Sequence, residues 1–132
     1  MGVRYFLGAT IAALSVIGAN ASAGEPLPAG IGQCSRTAIA WIGTRLEDGR
    51  TGRPILGSGS SIRFENGGHQ VSYDTVPQIT ASRIGDPVTM CLVLIPRNCP
   101  PGDNRGRVYQ TINLRTHQSW QLSDSQHNCG GA

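Results

Sequence analysis

Every basic side chain in this sequence is an arginine, with no lysine anywhere. Arg50 and Arg53 lie in "DGRTGRPILGSGSS", and Arg97, Arg105 and Arg107 lie in or beside "NCPPGDNRGR". A guanidinium is planar and offers its donors in a fixed fork, which suits carboxylates and phosphates held by paired hydrogen bonds. Should both stretches lie at one end of the fold, they would form a rim for an anionic ligand or an acidic partner. The competing reading is a set of solvated arginines, some paired with Glu47, Asp48 or Asp103. A bias of the coding genome accounts equally well for the missing lysine.

Catalytic chemistry has less support. A nucleophile needs a base beside it and a third group to orient that base. His69 follows a turn signal and His117 sits in an expected bend. The tail "DSQHNC" brings Asp124, Ser125 and His127 close together, the one cue for a small envelope hydrolase, although closeness in sequence is not triad geometry. No G-x-S-x-G elbow, phosphate loop, H-E-x-x-H helix or calcium loop occurs. Glu47 and Asp48 are neighbours, and on an extended chain neighbours point apart, which does not suit a carboxylate pair. Trp41 and Trp120 could stack on a sugar or a base, but the favoured reading puts both in the core. The expectation is a chain that is not an enzyme and carries neither cofactor nor metal.

The start, "MGVRYFLGATIAALSVIGANASAG", has a basic residue, an apolar run from Tyr5 to about Ala19, and Ala21-Ser22-Ala23 before Gly24. That is the layout of a cleaved export signal over residues 1–23. The run is shorter than the roughly 20 residues that span a bilayer, so no stable membrane insertion is expected after cleavage. Residues 24–132 then form one small domain, exported to the periplasm or the medium. Removing Arg4 leaves ten arginines against eight acids, too weak a field for general nucleic-acid binding.

A domain of this size buries only about two thirds of its unfolded surface, so cross-links help it. Cys34, Cys91, Cys99 and Cys129 are an even set in an exported chain, which reads as two disulfides. No C-x-x-C pair supports zinc. Cys34 with Cys91 and Cys99 with Cys129 is the favoured map. Cys91 with Cys99 and Cys34 with Cys129 also closes sensible loops, and chain entropy does not separate the two.

No segment holds a helical period. "CSRTAIAWIGTRLE" reads as a buried strand, with Ile39 and Trp41 on one face. "SIRFENGGHQVSYD" reads as a hairpin around Asn66-Gly67-Gly68, with Ile62, Phe64, Val71 and Tyr73 as its apolar face. "DPVTMCLVLIP" is apolar on both faces and reads as a central strand bounded by prolines. "RVYQTINLRTHQSWQLSD" reads as a second hairpin bent near Arg115 to Gln118, with Val108, Ile112 and Leu114 facing Trp120 and Leu122. These elements predict an all-β fold, a small disulfide-stabilised antiparallel barrel or sandwich of about six to eight strands.

An antiparallel second hairpin returns the tail to "NCPPGDNRGR", so Cys99 can reach Cys129. On that account the stretch is a cross-linked connection stiffened by Pro100 and Pro101.

The stretch "SGSSIRF", residues 58–64, resembles the small-residue run of periplasmic inhibitors of c-type lysozyme. That resemblance implies a β-barrel that inhibits a secreted hydrolase, with Ser60 and Arg63 as contact residues. The leading expectation is broader: a non-catalytic binding module for an envelope or extracellular protein or an anionic ligand, acting through Arg50, Arg53, Arg63, Arg97, Arg105 and Arg107. A structural role in the envelope is the remaining class.

Overall fold

The computed structural model describes Gly2 and residues 24–131, so the expected signal segment lies outside the described residues apart from Gly2. The described residues form six strands: β1 (Cys34–Thr44), β2 (Ser60–Phe64), β3 (His69–Ser72), β4 (Pro87–Leu94), β5 (Val108–Asn113) and β6 (Ser119–Ser123). A short helix, α1 (Pro77–Thr80), lies between β3 and β4. The strands close into an antiparallel barrel in the order β1-β2-β3-β6-β5-β4, with β4 returning to β1. Closure removes the exposed edges that an open sheet of this size would carry.

Each antiparallel step reverses the chain, so the connections alternate between two ends. Loop 45–59, the α1 connection 73–86 and turn 114–118 lie at the upper end, where β1 finishes. Lead 24–33, turn 65–68 and loop 95–107 lie at the lower end, and the tail leaves β6 there before Gln126 meets Arg45 and Tyr73 of the upper connections. Both expected hairpins form, and β4 sits between β1 and β5. The disulfides are Cys34–Cys91, joining register partners on β1 and β4, and Cys99–Cys129, joining the lower loop to the tail.

Three strands present faces other than those read from their apolar pattern. In β1, Ile39 opposes Phe64 while Trp41 opposes the very next residue of β2, Arg63. Ala40 is therefore a β-bulge, and one extra residue swaps the two faces beyond it. Ile39 is fully buried and Ile42 packs against the core, whereas Trp41 turns outward. In β3 the inward residue is Gln70, not Val71. In β5 the inward residues are Tyr109, Thr111 and Asn113, while Ile112 and Leu114 are each 37% exposed.

The polar interior residues are stable there because each finds partners, and a buried polar group is unfavourable mainly when unpaired. Gln70 uses its whole amide. Its Nε2 donates to the carbonyls of Tyr109 (2.7 Å) and Leu122 (3.1 Å), and its Oε1 accepts from Thr111 Oγ1 (2.7 Å) and Trp120 Nε1 (2.9 Å). At the upper end Asn113 donates to Ser82 and Asp86, and Arg115 clasps the buried Asp86 carboxylate from 2.6 and 2.9 Å. The guanidinium hydrogen bonds hold that carboxyl far below the usual carboxylate range. Around these groups lie Ile62, Phe64, Val88, Met90, Leu92 and Trp120, with Ile79 of α1 reaching in from above.

Candidate functional site

The two arginine-bearing loops do not share an end. Loop 45–59 follows β1 and loop 95–107 follows β4, so three strand reversals separate their starting points, while Gln126 of the tail spliced to loop 95–107 accepts from Arg45. Sequence composition identifies loops, but strand parity decides where they emerge.

The lower loop is tied down. Arg105 pairs with Asp103 through two bonds of 2.9 Å and donates to the Gly131 carbonyl at 3.1 Å. Asp103 also accepts from Gly130 N at 3.0 Å, and these bonds hold its carboxyl well below its ordinary value. Cys99–Cys129 and a Cys129 N to Arg105 O bond of 3.1 Å complete the splice between loop and tail. Arg107 is half-buried, bonds the Tyr109 hydroxyl and lies beside Asp124. Arg97 is exposed and lines a hollow of about 400 Å³ with Ile31, Leu94 and Ile95. This loop is a cross-linked connection in which exposed Arg105 is engaged by Asp103 and Gly131 and exposed Arg97 is not.

The upper loop is built differently. Asp48 Oδ1 accepts from the backbone N–H of Arg50 (2.9 Å) and Thr51 (3.0 Å), and this holds its carboxyl below the ordinary value. The acid that could neutralise the neighbouring arginines is thereby directed at the turn. Arg50 and Arg53 are exposed, and among the described residues neither guanidinium has a hydrogen bond or ion pair. Directly after them Ile55 is 44% exposed and Leu56 87% exposed.

Leu56 and Pro54 form one wall of a cleft of about 410 Å³ at the upper mouth, with Ile42 and Ile79 also lining it. Thr44, Ser60, Thr75 and Thr80 are its polar lining residues, and no charged residue lines it. Ser60 Oγ accepts from Val76 N at 2.9 Å and so ties the start of β2 to the α1 connection. Gly59, at φ +115°, is pressed against β3 so closely that a Cβ would fall 2.0 Å from Ser72 O, so only glycine fits there.

On the outer face of the barrel, register places Trp41, Arg63 and His69 in one row across β1, β2 and β3. The Arg63 guanidinium stacks 4.9 Å from the Trp41 ring centroid. His69 Nε2 lies 2.9 Å from Ser61 Oγ, and the imidazole also bonds the backbone of Asp124. Burial pushes the His69 pKa down, so the ring is neutral near pH 7. The reading of the tail overlooked this Ser–His pair. Its signal was the hairpin itself, since pairing Arg63 with His69 puts Ser61 diagonal to the imidazole.

Ser61 is only 6% exposed, so no nucleophile faces solvent at this pair. The tail residues do not assemble either. Asp124 accepts from Gly106 N at 2.8 Å and neighbours His69 and Arg107, whereas His127 is exposed with its backbone N–H on Ser125. Burial pushes the Asp124 pKa up.

"SGSSIRF" is a paired strand from Ser60 onward rather than a projecting loop. Ser60 is buried at the mouth and Arg63 is exposed on the outer face, so the two do not form one contact surface. Trp120 lies in the core. Among the described residues no cluster of His, Cys, Asp or Glu could hold a metal ion, and no helix is long and apolar enough to cross a membrane. In comparisons with known proteins, no family model, no curated protein and no solved structure matches this chain.

Proposed function

We propose that this chain is an exported, non-catalytic binding module that takes an anionic amphiphile at the upper mouth of its barrel. The apolar part enters the cleft beside Ile42, Leu56 and Ile79, and Arg50 and Arg53 meet the anionic head. The observation that carries this reading is the juxtaposition within one loop: two guanidiniums without protein partners, followed at once by the exposed apolar wall of a cleft. Barrel mouths are common ligand sites, and clefts of a few hundred Å³ suit small ligands. The N-terminal signal pattern and the two disulfides support export, where such bonds persist.

Titration with dodecanoate and dodecanol, each kept below its aggregation limit, tests the proposal. Dodecanoate is expected to bind at least tenfold tighter than the alcohol. The Arg50→Glu/Arg53→Glu variant should erase that preference, and Leu56→Asp should weaken both ligands. Undiminished dodecanoate binding by the charge-reversed variant would remove this reading.

A further inference from the structure

We propose that the upper end of the barrel docks on an anionic lipid bilayer, with Leu56 and Ile84 entering the interface and Arg50, Arg53 and Arg83 meeting the headgroups. The docking stands without any ligand in the cleft; only the passage of an amphiphile from bilayer to cleft rests on the reading above.

The first argument is a pair of matched turns, one in each of the two connections that line the cleft. In Ile55-Leu56-Gly57-Ser58 the Ser58 N–H donates to the Ile55 carbonyl at 3.2 Å, and in Arg83-Ile84-Gly85-Asp86 the Asp86 N–H donates to the Arg83 carbonyl at 3.1 Å. The third position of each is glycine at positive φ, +78° and +90°, as a type II turn requires there. The second position, at the tip, is a large aliphatic both times. Leu56 is 87% exposed and Ile84 67%, the two highest values among large apolar side chains of the described residues. Single exposed aliphatics need no explanation. Two at equivalent turn positions beside one cleft form a repeated device.

The second argument is that both turns are fastened at their base. Asp86 accepts from the Arg83 N–H at 2.8 Å and is itself clasped by Arg115, while the Gly85 N–H donates to the Ile39 carbonyl at 2.7 Å. In the other turn the Ile55 N–H donates to the Leu46 carbonyl at 3.0 Å, and Ser58 Oγ accepts from the Leu46 N–H at 3.1 Å. Much of the turn backbone is therefore already paired, which lowers the penalty of taking the tips out of water. Tips fixed before contact also lose less entropy on docking.

Charge selects the surface. Arg50, Arg53 and Arg83 are exposed, and among the described residues no carboxylate pairs with their guanidiniums. Of the acids at this end, Asp48 and Asp86 serve their own turns, and Glu47 and Asp74 are exposed. With Asp86 offset by Arg115, the connections carry Arg45, Arg50, Arg53 and Arg83 against Glu47, Asp48 and Asp74. So small an excess leaves the apolar tips to supply most of the attraction, with anionic lipid adding to it. Two protrusions beside an open cleft suit a fluid interface, which needs no matching pockets, better than a folded partner, which needs one for each.

Co-sedimentation of the oxidised protein with vesicles tests the docking, using phosphatidylcholine alone or mixed equally with phosphatidylglycerol. The mixed vesicles are expected to bind about fivefold tighter at low salt. Leu56→Asp and Ile84→Asp should each weaken that binding about tenfold, and Arg83→Glu should reduce the preference for the anionic lipid. Ile84 does not line the cleft, so Ile84→Asp should keep its dodecanoate binding. A protein that takes vesicles but no dodecanoate would keep the docking and lose the cleft reading. Near-ultraviolet circular dichroism verifies that the variants fold, and Ile84→Ser decides should either aspartate variant fail. Absence of vesicle binding, equal binding of the two vesicle types, or unchanged binding by the Ile84 variant would each overturn the docking. So would a dimer formed without vesicles and dissolved by Ile84→Asp in sedimentation equilibrium, which would give this face to a second copy.

Discussion

The barrel closes along two seams made of different materials. Where β4 meets β1, five register pairs and the Cys34–Cys91 disulfide hold the strands, and Asp86–Arg115 fastens the upper end of the adjoining β4–β5 pair. Where β3 meets β6, a single register pair, Val71 with Ser123, joins them. Side chains do the remaining work. Gln70 bonds β5 and β6 from inside, His69 bonds Ser61 and Asp124 from outside, and α1 packs against β6 from above. Farther out, Gln126 of the tail accepts from Arg45 at 2.9 Å and from the Tyr73 hydroxyl at 3.3 Å. A ladder spreads its strength over many equivalent bonds, while a side-chain closure concentrates it in one residue. The second kind of seam is the more easily broken by a single substitution.

Gln70→Leu is the severest test of that contrast. It leaves Trp120 Nε1, Thr111 Oγ1, the buried Tyr109 carbonyl and the part-buried Leu122 carbonyl without their partner, so a loss on the order of 5 kcal/mol is expected in urea unfolding. That approaches the whole stability of a small domain. A loss near 1 kcal/mol would mean that the ladder closes this seam after all.

Replacing Cys34 and Cys91 together by serine should lower stability by about 4 kcal/mol, mainly by freeing the unfolded chain. Stopped-flow unfolding separates the two seams: Gln70→Leu should speed unfolding markedly, and the disulfide variant should leave that rate nearly unchanged. Arg115→Met strips buried Asp86 of its cation and is expected to lower the thermal midpoint by less than the disulfide variant does, because the guanidinium is partly exposed.

His69→Gln should have the smallest effect, about 1 kcal/mol at pH 7, and a distinctive pH signature. The unfolded imidazole takes a proton near pH 6.5, and the buried one does so only at lower pH. Between those values the unfolded chain binds more protons, so wild-type stability falls as pH drops below about 6.5. A second decline begins below about pH 4, as acid removes the stabilisation of the depressed carboxyls Asp86 and Asp103. Asp124, raised by burial, partly offsets it, because its folded form takes up a proton first. The variant should lose the upper decline and keep the lower one, and an unchanged upper slope in denaturation at pH 5 to 7 would remove His69 from the account.

Legibility in the sequence was uneven, for reasons that particular residues make plain. Asn66-Gly67-Gly68 marks its turn, because few residues tolerate the backbone angles that a tight hairpin needs. The run from Val88 to Ile95 marks a strand, but only its Val88, Met90 and Leu92 face is buried, and Leu94 and Ile95 stay exposed on the barrel. Antiparallel logic in the last hairpin carried Cys99 to Cys129. The faces of β3 and β5 misled, since period-two reasoning assumes that apolar residues lie inside. There Gln70, Thr111 and Asn113 take the interior, because their mutual bonds remove the penalty of burying them. Of the arginines proposed as contacts, the sequence named Arg50 and Arg53 but not Arg83, and could not separate them from Arg105, whose engagement by Asp103 and Gly131 is a fact of packing.

The all-β character, the hairpins and the presence of two cross-links were therefore determined locally, by backbone preferences and cysteine count. Which loops share an end, which face of a strand is inside and which arginines are left open depend on strand parity, one bulged residue and buried polar partners. Those belong to the tertiary structure, because each is a relation between residues far apart in the chain, and composition along a segment carries no information about its distant partner.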